Sequence, residues 1–145
     1  MNSGSFESKS VHGVGQLVFH LEWCPKYRYR MLRQDKYKDF LASVLQREAE
    51  KMGCKIDSMG IQDDHVHLIV AIKPSVSIST LLQQLKGVSS YELFRLEPKF
   101  RLRYPNGAFW SPGKFYRSVG DVDLETTRDY VQAQDHRQRS LFNAM

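Results

Sequence analysis

Gln62-Asp63-Asp64-His65-Val66-His67-Leu68-Ile69-Val70-Ala71-Ile72 is the stretch on which the reading of this chain turns. From His65 onward it is apolar and rich in β-branched residues, which reads as a strand. Side chains alternate across a strand, so His65 and His67 project together while Val66 and Leu68 pack inward. The Asp63-Asp64 pair is a turn signal, and Cys54 to Ile61 before it reads as a partner strand, so the two form a hairpin.

The same reading extends outward. Gln16 to Trp23 (QLVFHLEW) alternates, with Leu17, Phe19, Leu21 and Trp23 on one face and Val18, His20 and Glu22 on the other; Pro25 ends it. Lys36 to Met52 carries Tyr37, Phe40, Leu41, Val44, Leu45, Glu48 and Met52 at spacings of three and four, a helix with Asp35 as its N-cap and Gly53 at its end. A second helix runs to about Leu96, with Ser79 and Thr80 as cap candidates and Leu81, Leu82, Leu85, Val88, Tyr91 and Phe94 inward; Pro98 closes it. Arg101 to Pro112 reads as a loop, Lys114 to Val119 as a fourth strand, and Asp121 to Gln138 as a last helix capped by Asp121 or Asp123. The order is βαββαβ plus a C-terminal helix, which predicts an α+β, ferredoxin-like (RRM-like) antiparallel sheet with helices on one face. Residues 1–14 read as a flexible N-terminal tail and 15–145 as one domain.

Charge narrows the function. The chain has 145 residues, 21 Lys plus Arg against 16 Asp plus Glu, and a net charge of +5, which points to a polyanion, nucleic acid before a membrane surface. An apolar fraction of 41% is that of a globular domain and excludes a largely disordered chain. No run approaches the ~18 apolar residues of a membrane span. The two cysteines, Cys24 and Cys54, form neither a CxxC pair nor a zinc cluster, and the first residues contain no apolar core of a signal peptide; a cytoplasmic protein with free thiols is expected.

Two imidazoles held side by side on a rigid strand are half of a metal site, or else a pair of hydrogen-bonded polar histidines. A third ligand is offered by the last helix, where Tyr130 and Gln134 stand four apart on one face. The neutral oxygen of Gln134 suits a hard divalent ion such as Mg²⁺ or Mn²⁺. Tyr130 is either an aromatic packing on the sheet or a phenol beside that ion, a poor nucleophile until its phenolate is stabilised.

The run from Gln62 to Val70 resembles the HUH motif of small insertion-sequence transposases of the TnpA type, single-tyrosine HUH endonucleases that act on single-stranded DNA. His20-Leu21-Glu22-Trp23-Cys24-Pro25-Lys26-Tyr27-Arg28 is similar to that family's first-strand signature, Leu85-Lys86-Gly87-Val88-Ser89-Ser90 to its second-helix signature, and Phe109-Trp110-Ser111-Pro112-Gly113-Lys114-Phe115-Tyr116 to its fourth-strand region. Tyr130 with Gln134 matches its Tyr-x-x-x-Gln helix. Asp63-Asp64 departs from the Pro-Asp common in this turn but keeps the acid beside His65. The resemblance implies that His65, His67 and Gln134 bind the divalent metal and that Tyr130 attacks a DNA phosphate, leaving a 5′-phosphotyrosine and a free 3′-OH. It also implies recognition of DNA hairpins and a homodimer in which catalytic helices are exchanged in trans or remain in cis.

The remaining candidates surround this centre. Asp64 is either a turn former or a carboxylate that orients a ligand histidine from behind. His20, on a strand expected beside that of His65, is a core or supporting histidine; His12 and His136 read as surface residues and Arg137 and Arg139 as tail charges. Lys26, Arg28 and Arg30 interleave with Tyr27 and Tyr29, a pattern suited to phosphate contact and base stacking on single strands. Arg101, Arg103, Tyr104 and Trp110 form a second such cluster, and Lys86 beside Gly87 is a further DNA-contact candidate. Two rivals stay open: a relative that processes repeat hairpins of the genome, and a non-catalytic single-strand-binding module of the RRM kind. A histidine-triad hydrolase needs a third histidine where Ile69 stands.

Overall fold

The computed structural model describes residues 17–144, with the side chains of 121–123 and 136–144 left out. The tail expected over 1–14, the caps expected of Asp121 or Asp123, and His12, His136, Arg137 and Arg139 fall outside the described residues or side chains. The elements are β1 (Leu17–Trp23), α1 (Asp35–Lys51), β2 (Lys55–Ile61), β3 (Val66–Ile72), α2 (Ile78–Leu96), β4 (Phe115–Ser118) and α3 (Asp121–Ala144). The four strands form one antiparallel sheet in the order β2-β3-β1-β4. This is the expected α+β sheet.

β3 is buried along its whole length because both of its faces are covered. Val66, Leu68, Val70 and Ile72 join Leu21 and Trp23 of β1 in the main core, which includes Leu41 and Leu45 of α1 and Leu81, Leu82 and Leu85 of α2. Ile69 and Ala71 point the other way and pack with Val18, Val119, and Leu124 and Val131 of α3. So α1 and α2 cover one face and α3 half-covers the other, leaving room beside His67 at the end of β3.

The helix starts differ from expectation. α1 begins after Gln34, which makes no side-chain cap bond, so Asp35 is not the cap but a first-turn acid facing the helix dipole. In α2 the cap is Ser77, not Ser79 or Thr80: its Oγ accepts the Thr80 N–H at 3.0 Å. Gly53 follows α1 with φ 71°, the left-handed geometry that ends many helices.

The largest departure is in the 101–112 loop. Pro98–Leu102 is a 3₁₀ turn. Beyond it the chain returns to β1: the Lys26 N–H donates to the Phe109 carbonyl, the Ser111 N–H to the Cys24 carbonyl, and Pro25 bridges Trp110. Tyr104, Phe109 and Trp110 are thereby drawn into the core. Trp110 sits edge-on to Trp23 and donates Nε1–H to Ser89 Oγ at 2.9 Å, so its faces are not open to a DNA base. Lys86 is likewise occupied, donating to the carbonyls of Ser111 at 2.8 Å and Gly113 at 3.4 Å. Burial, then the nearby Lys114, lowers the affinity of its amine for a proton.

Lys38 is the polar centre of the fold. Its side chain is fully buried, and its ammonium donates to Asp63 Oδ1 at 2.9 Å and to the carbonyls of Leu32 at 2.8 Å and Arg33 at 3.1 Å. Asp63 is itself buried and takes a second cation, Arg30, at 2.7 Å. Replacing Lys38 with Met removes the buried partner of the Asp63 carboxylate, and breaking a buried ion pair typically costs roughly 3–5 kcal/mol. Lys38→Met should therefore lower the urea-unfolding midpoint sharply, and an unchanged midpoint would refute this role.

Candidate active site

Beside His67 the sheet and α3 enclose a cleft of about 670 Å³. His20, Glu22, His65 and His67 form its floor, Tyr130 and Gln134 its α3 wall, and Arg28 and Arg117 its cationic rim. His65 and His67 stand together with ring centroids 4.6 Å apart. Asp64 Oδ1 lies 2.7 Å from His65 Nδ1, which leaves Nε2 as the ring's other donor atom. Burial pushes the Asp64 carboxyl up, but its bonds to His65 and Arg28 prevail and hold it below its usual value. His67 is buried, with its pKa lowered to about 4, first by burial and then by the charges of His65, His20 and Arg28. His20 is lowered too, by burial and Arg117. Neutral imidazole is the form that ligates a metal.

α3 is held against this floor by contacts with β2 and the turn after it. Arg128 makes two bonds to Asp57, at 2.8 and 2.9 Å. The Ile61 N–H donates to Asp135 Oδ1 at 2.8 Å, and Gln62 Nε2 donates to Gln134 Oε1 at 2.6 Å. Gly60 makes the approach possible, since a Cβ there would lie 2.7 Å from the Val131 carbonyl oxygen. The result sets the Tyr130 ring edge-on to His67, centroids 6.2 Å apart, with the tyrosine about half exposed.

The donor set fits a divalent ion. Among the described residues, His20, Glu22 and His67 bring one ligand atom each within 4.8 Å of one another. His67 Nε2 is buried without a hydrogen-bond partner, an arrangement that a bound cation would satisfy. Imidazole nitrogens mixed with oxygen donors suit a divalent metal ion.

Residues 13–134 match the family described as "Transposase IS200 like". The chain belongs to the IS200-like transposases. It is 29% identical over 133 residues to the ISDra2 transposase TnpA of Deinococcus radiodurans, covering 91% of this chain and 94% of that one. It is 27% identical over 128 residues to the transposase of insertion sequence IS200 of Salmonella typhimurium, covering 88% and 83%. A crystal structure of a Deinococcus radiodurans protein described as a transposase superposes with a TM-score of 0.68 at 27% identity, over 83% of this chain and 92% of the other. The tyrosine transposase solved with a REP hairpin shares the fold, with a TM-score of 0.55 at 15% identity over 81% of this chain and 64% of that one.

In this IS200-like transposase the two basic, aromatic loops expected separately form one surface. Tyr29 and Tyr104 stack at 15°, with Tyr27 beside both. The Arg103 guanidinium lies 4.3 Å from the centre of the Tyr29 ring. Tyr27 and Arg28 both have positive φ, 61° and 52°, which turns the Tyr27 ring outward. Lys26 reaches the Asn106 carbonyl, and Arg101 folds back onto the carbonyls of Tyr104 and Gly107. Arg28 and Arg30 are bound to Asp64 and Asp63. The sequence reading missed Glu22, Gln62 and Arg117 as site residues. The alternation that placed Glu22 on the face of His20 was the available signal, but its place opposite His67 comes from strand register.

The transposase should show the cost of its neutral histidine. Between about 6.5, the ordinary imidazole value, and about 4, the unfolded chain takes up a proton that His67 in the fold refuses. Stability should fall as pH drops through that window and level off below it. Histidine-resolved NMR should place the His67 midpoint about 4, and a midpoint at the ordinary value would contradict the burial argument.

Proposed function

We propose that this transposase cuts and rejoins single-stranded DNA with Tyr130 as nucleophile. The observation that supports this reading most is the placement of Tyr130 and Gln134 on one helix face against the His65–His67 pair, in one cleft. The Tyr130 hydroxyl gives up its proton as its oxygen attacks phosphorus, the bond from phosphorus to the 3′ oxygen breaks, and the departing oxygen takes up a proton to become a 3′-OH. A 5′-phosphotyrosine remains. Attack by another 3′-OH reverses the step, so phosphodiester bonds are conserved in number and no nucleotide cofactor is required.

His65, His67 and Gln134 would hold Mg²⁺ or Mn²⁺. When bound, such an ion would polarise the phosphate oxygens and orient them for in-line attack. Asp64 would hold His65 by Nδ1, and His20 would support His67. Arg28 and Arg117 on the rim favour a polyanion in the cleft. Lys26, Tyr27, Arg30, Arg101 and Arg103 would carry the strand away from it by backbone attraction and base stacking. DNA hairpins are the proposed form of the substrate, as in the hairpin-bound relative in fold.

A homodimer belongs to this reading. Tyr130 stands against its own chain's His67, so exchange in trans would require the Arg128–Asp57 and Ile61–Asp135 contacts to be remade with the neighbour. Among the described residues no helix is long and apolar enough to cross a membrane.

The test is a covalent-adduct assay with end-labelled single-stranded hairpin DNA from the flanks of the gene. With Mn²⁺ the protein should form an adduct stable on a denaturing gel. Tyr130→Phe, His65→Ala and chelator should each abolish it, while Tyr130→Phe retains DNA binding. Single-strand binding indifferent to chelator, with no adduct under any condition, would overturn the reading in favour of a binding module.

A further inference from the structure

Glu22 is not among the residues proposed above to hold the ion or attack the DNA, yet it lines the same cleft. It lies directly opposite His67 in the β1–β3 pairing, and its Oε1 is 3.5 Å from His67 Nδ1. His20 Nε2 approaches the same nitrogen, at 3.2 Å. Two polar atoms thus converge on Nδ1, while Nε2 of the same ring is buried with no partner.

The two neighbours differ in what they can impose. A pair of neutral imidazoles is indifferent to direction: either His67 Nδ1–H donates to His20 or His20 Nε2–H donates to His67. In the second arrangement His67 carries its proton on Nε2, and that nitrogen can ligate nothing. An ionised carboxylate only accepts. Placed at Nδ1, it favours the first arrangement and leaves the Nε2 lone pair free.

From this geometry we infer that Glu22 is a positioning residue that selects the Nδ1–H tautomer of His67 and so readies Nε2 to bind the divalent ion. Asp64 does the same for His65 more directly, by a hydrogen-bond contact of 2.7 Å to its Nδ1, where Glu22 acts on His67 as a charge at 3.5 Å. The two histidines are then backed by two carboxylates from different elements, one before β3 and one on β1, and both Nε2 atoms are left for the cation. The alternative, an ion on the Nδ1 side shared by His20, Glu22 and His67, leaves His67 Nε2–H buried without an acceptor; in the first arrangement the orphaned hydrogen is on His20 Nδ1 instead, and the acceptor-only Glu22 carboxylate is what favours that arrangement. This inference rests on the proposed metal-binding role of His67.

Two measurements on the full chain test it. Long-range ¹H–¹⁵N NMR of the histidine rings, without metal, should show His67 protonated on Nδ1 in the wild type. Glu22→Ala should show a mixture or the Nε2–H form, with Glu22→Asp closer to wild type. Calorimetric titration with Mn²⁺ should show up to about 10–100-fold weaker binding in Glu22→Ala, the range found on removing a group that orients a metal ligand, at an unchanged circular dichroism spectrum. An unchanged tautomer would overturn the inference, and unchanged tautomer with weakened Mn²⁺ binding would make Glu22 a direct ligand instead. If the wild type binds no Mn²⁺, the metal-binding role fails, while the NMR result still decides what Glu22 does to His67.

Discussion

A single buried ammonium holds the working end of this molecule together. Lys38 enters the core from the first turn of α1 and binds Asp63 of the β2–β3 turn and two carbonyls of the segment before its own helix. The pair is costly to desolvate, and its cost is met because the partners of the ammonium are arranged in advance by two separate chain segments. The Leu32 N–H adds a bond to the Asp63 carbonyl. With Asp63 held in place, Asp64 and His65 follow in defined positions, and Arg28 and Arg30 close over the two acids from outside. The turn is therefore built as a rigid bracket between the core and the cleft, not as a mobile connection.

The second constraint is the docking of α3. Among its described side chains the apolar contact is centred on Leu124 and Val131. Polar contacts set its position: the bidentate Arg128–Asp57 pair, the Asp135 cap on the Ile61 N–H, and the Gln62–Gln134 bond. Directional bonds fix rotation about a helix axis in a way that apolar contact does not, and rotation is what brings Tyr130 toward His67. Gly60 lets the two backbones meet where any side chain would separate them.

Local periodicity made the strands and helices legible with few errors. Strand alternation gave His65 and His67 a common face, and helical spacing gave Tyr130 and Gln134 one. Helix starts were less legible because Ser77, Ser79 and Thr80 are all chemically fit to cap, and the choice depends on where the chain leaves the sheet. Trp110 and Lys86 read as DNA contacts because aromatics and cations near a basic loop look alike whether they face water or the core. Trp110 is buried because its loop returns to lie beside the end of β1, a contact between segments far apart in sequence.

By itself the sequence determined the element order, the face of each histidine, the family resemblance, and the pairing of tyrosine with glutamine, since all of these follow from spacings of two to four residues and from motif order. Only the tertiary structure decided that α3 covers the face opposite α1 and α2, that the basic loops merge into one surface, and that Glu22 stands across from His67. Those facts depend on strand register and on packing between distant segments. Alternation excludes a one-residue slip, which would turn Glu22 to the other side of the sheet, but a two-residue slip keeps its face and changes its partner, and no local pattern in the chain chooses between those registers.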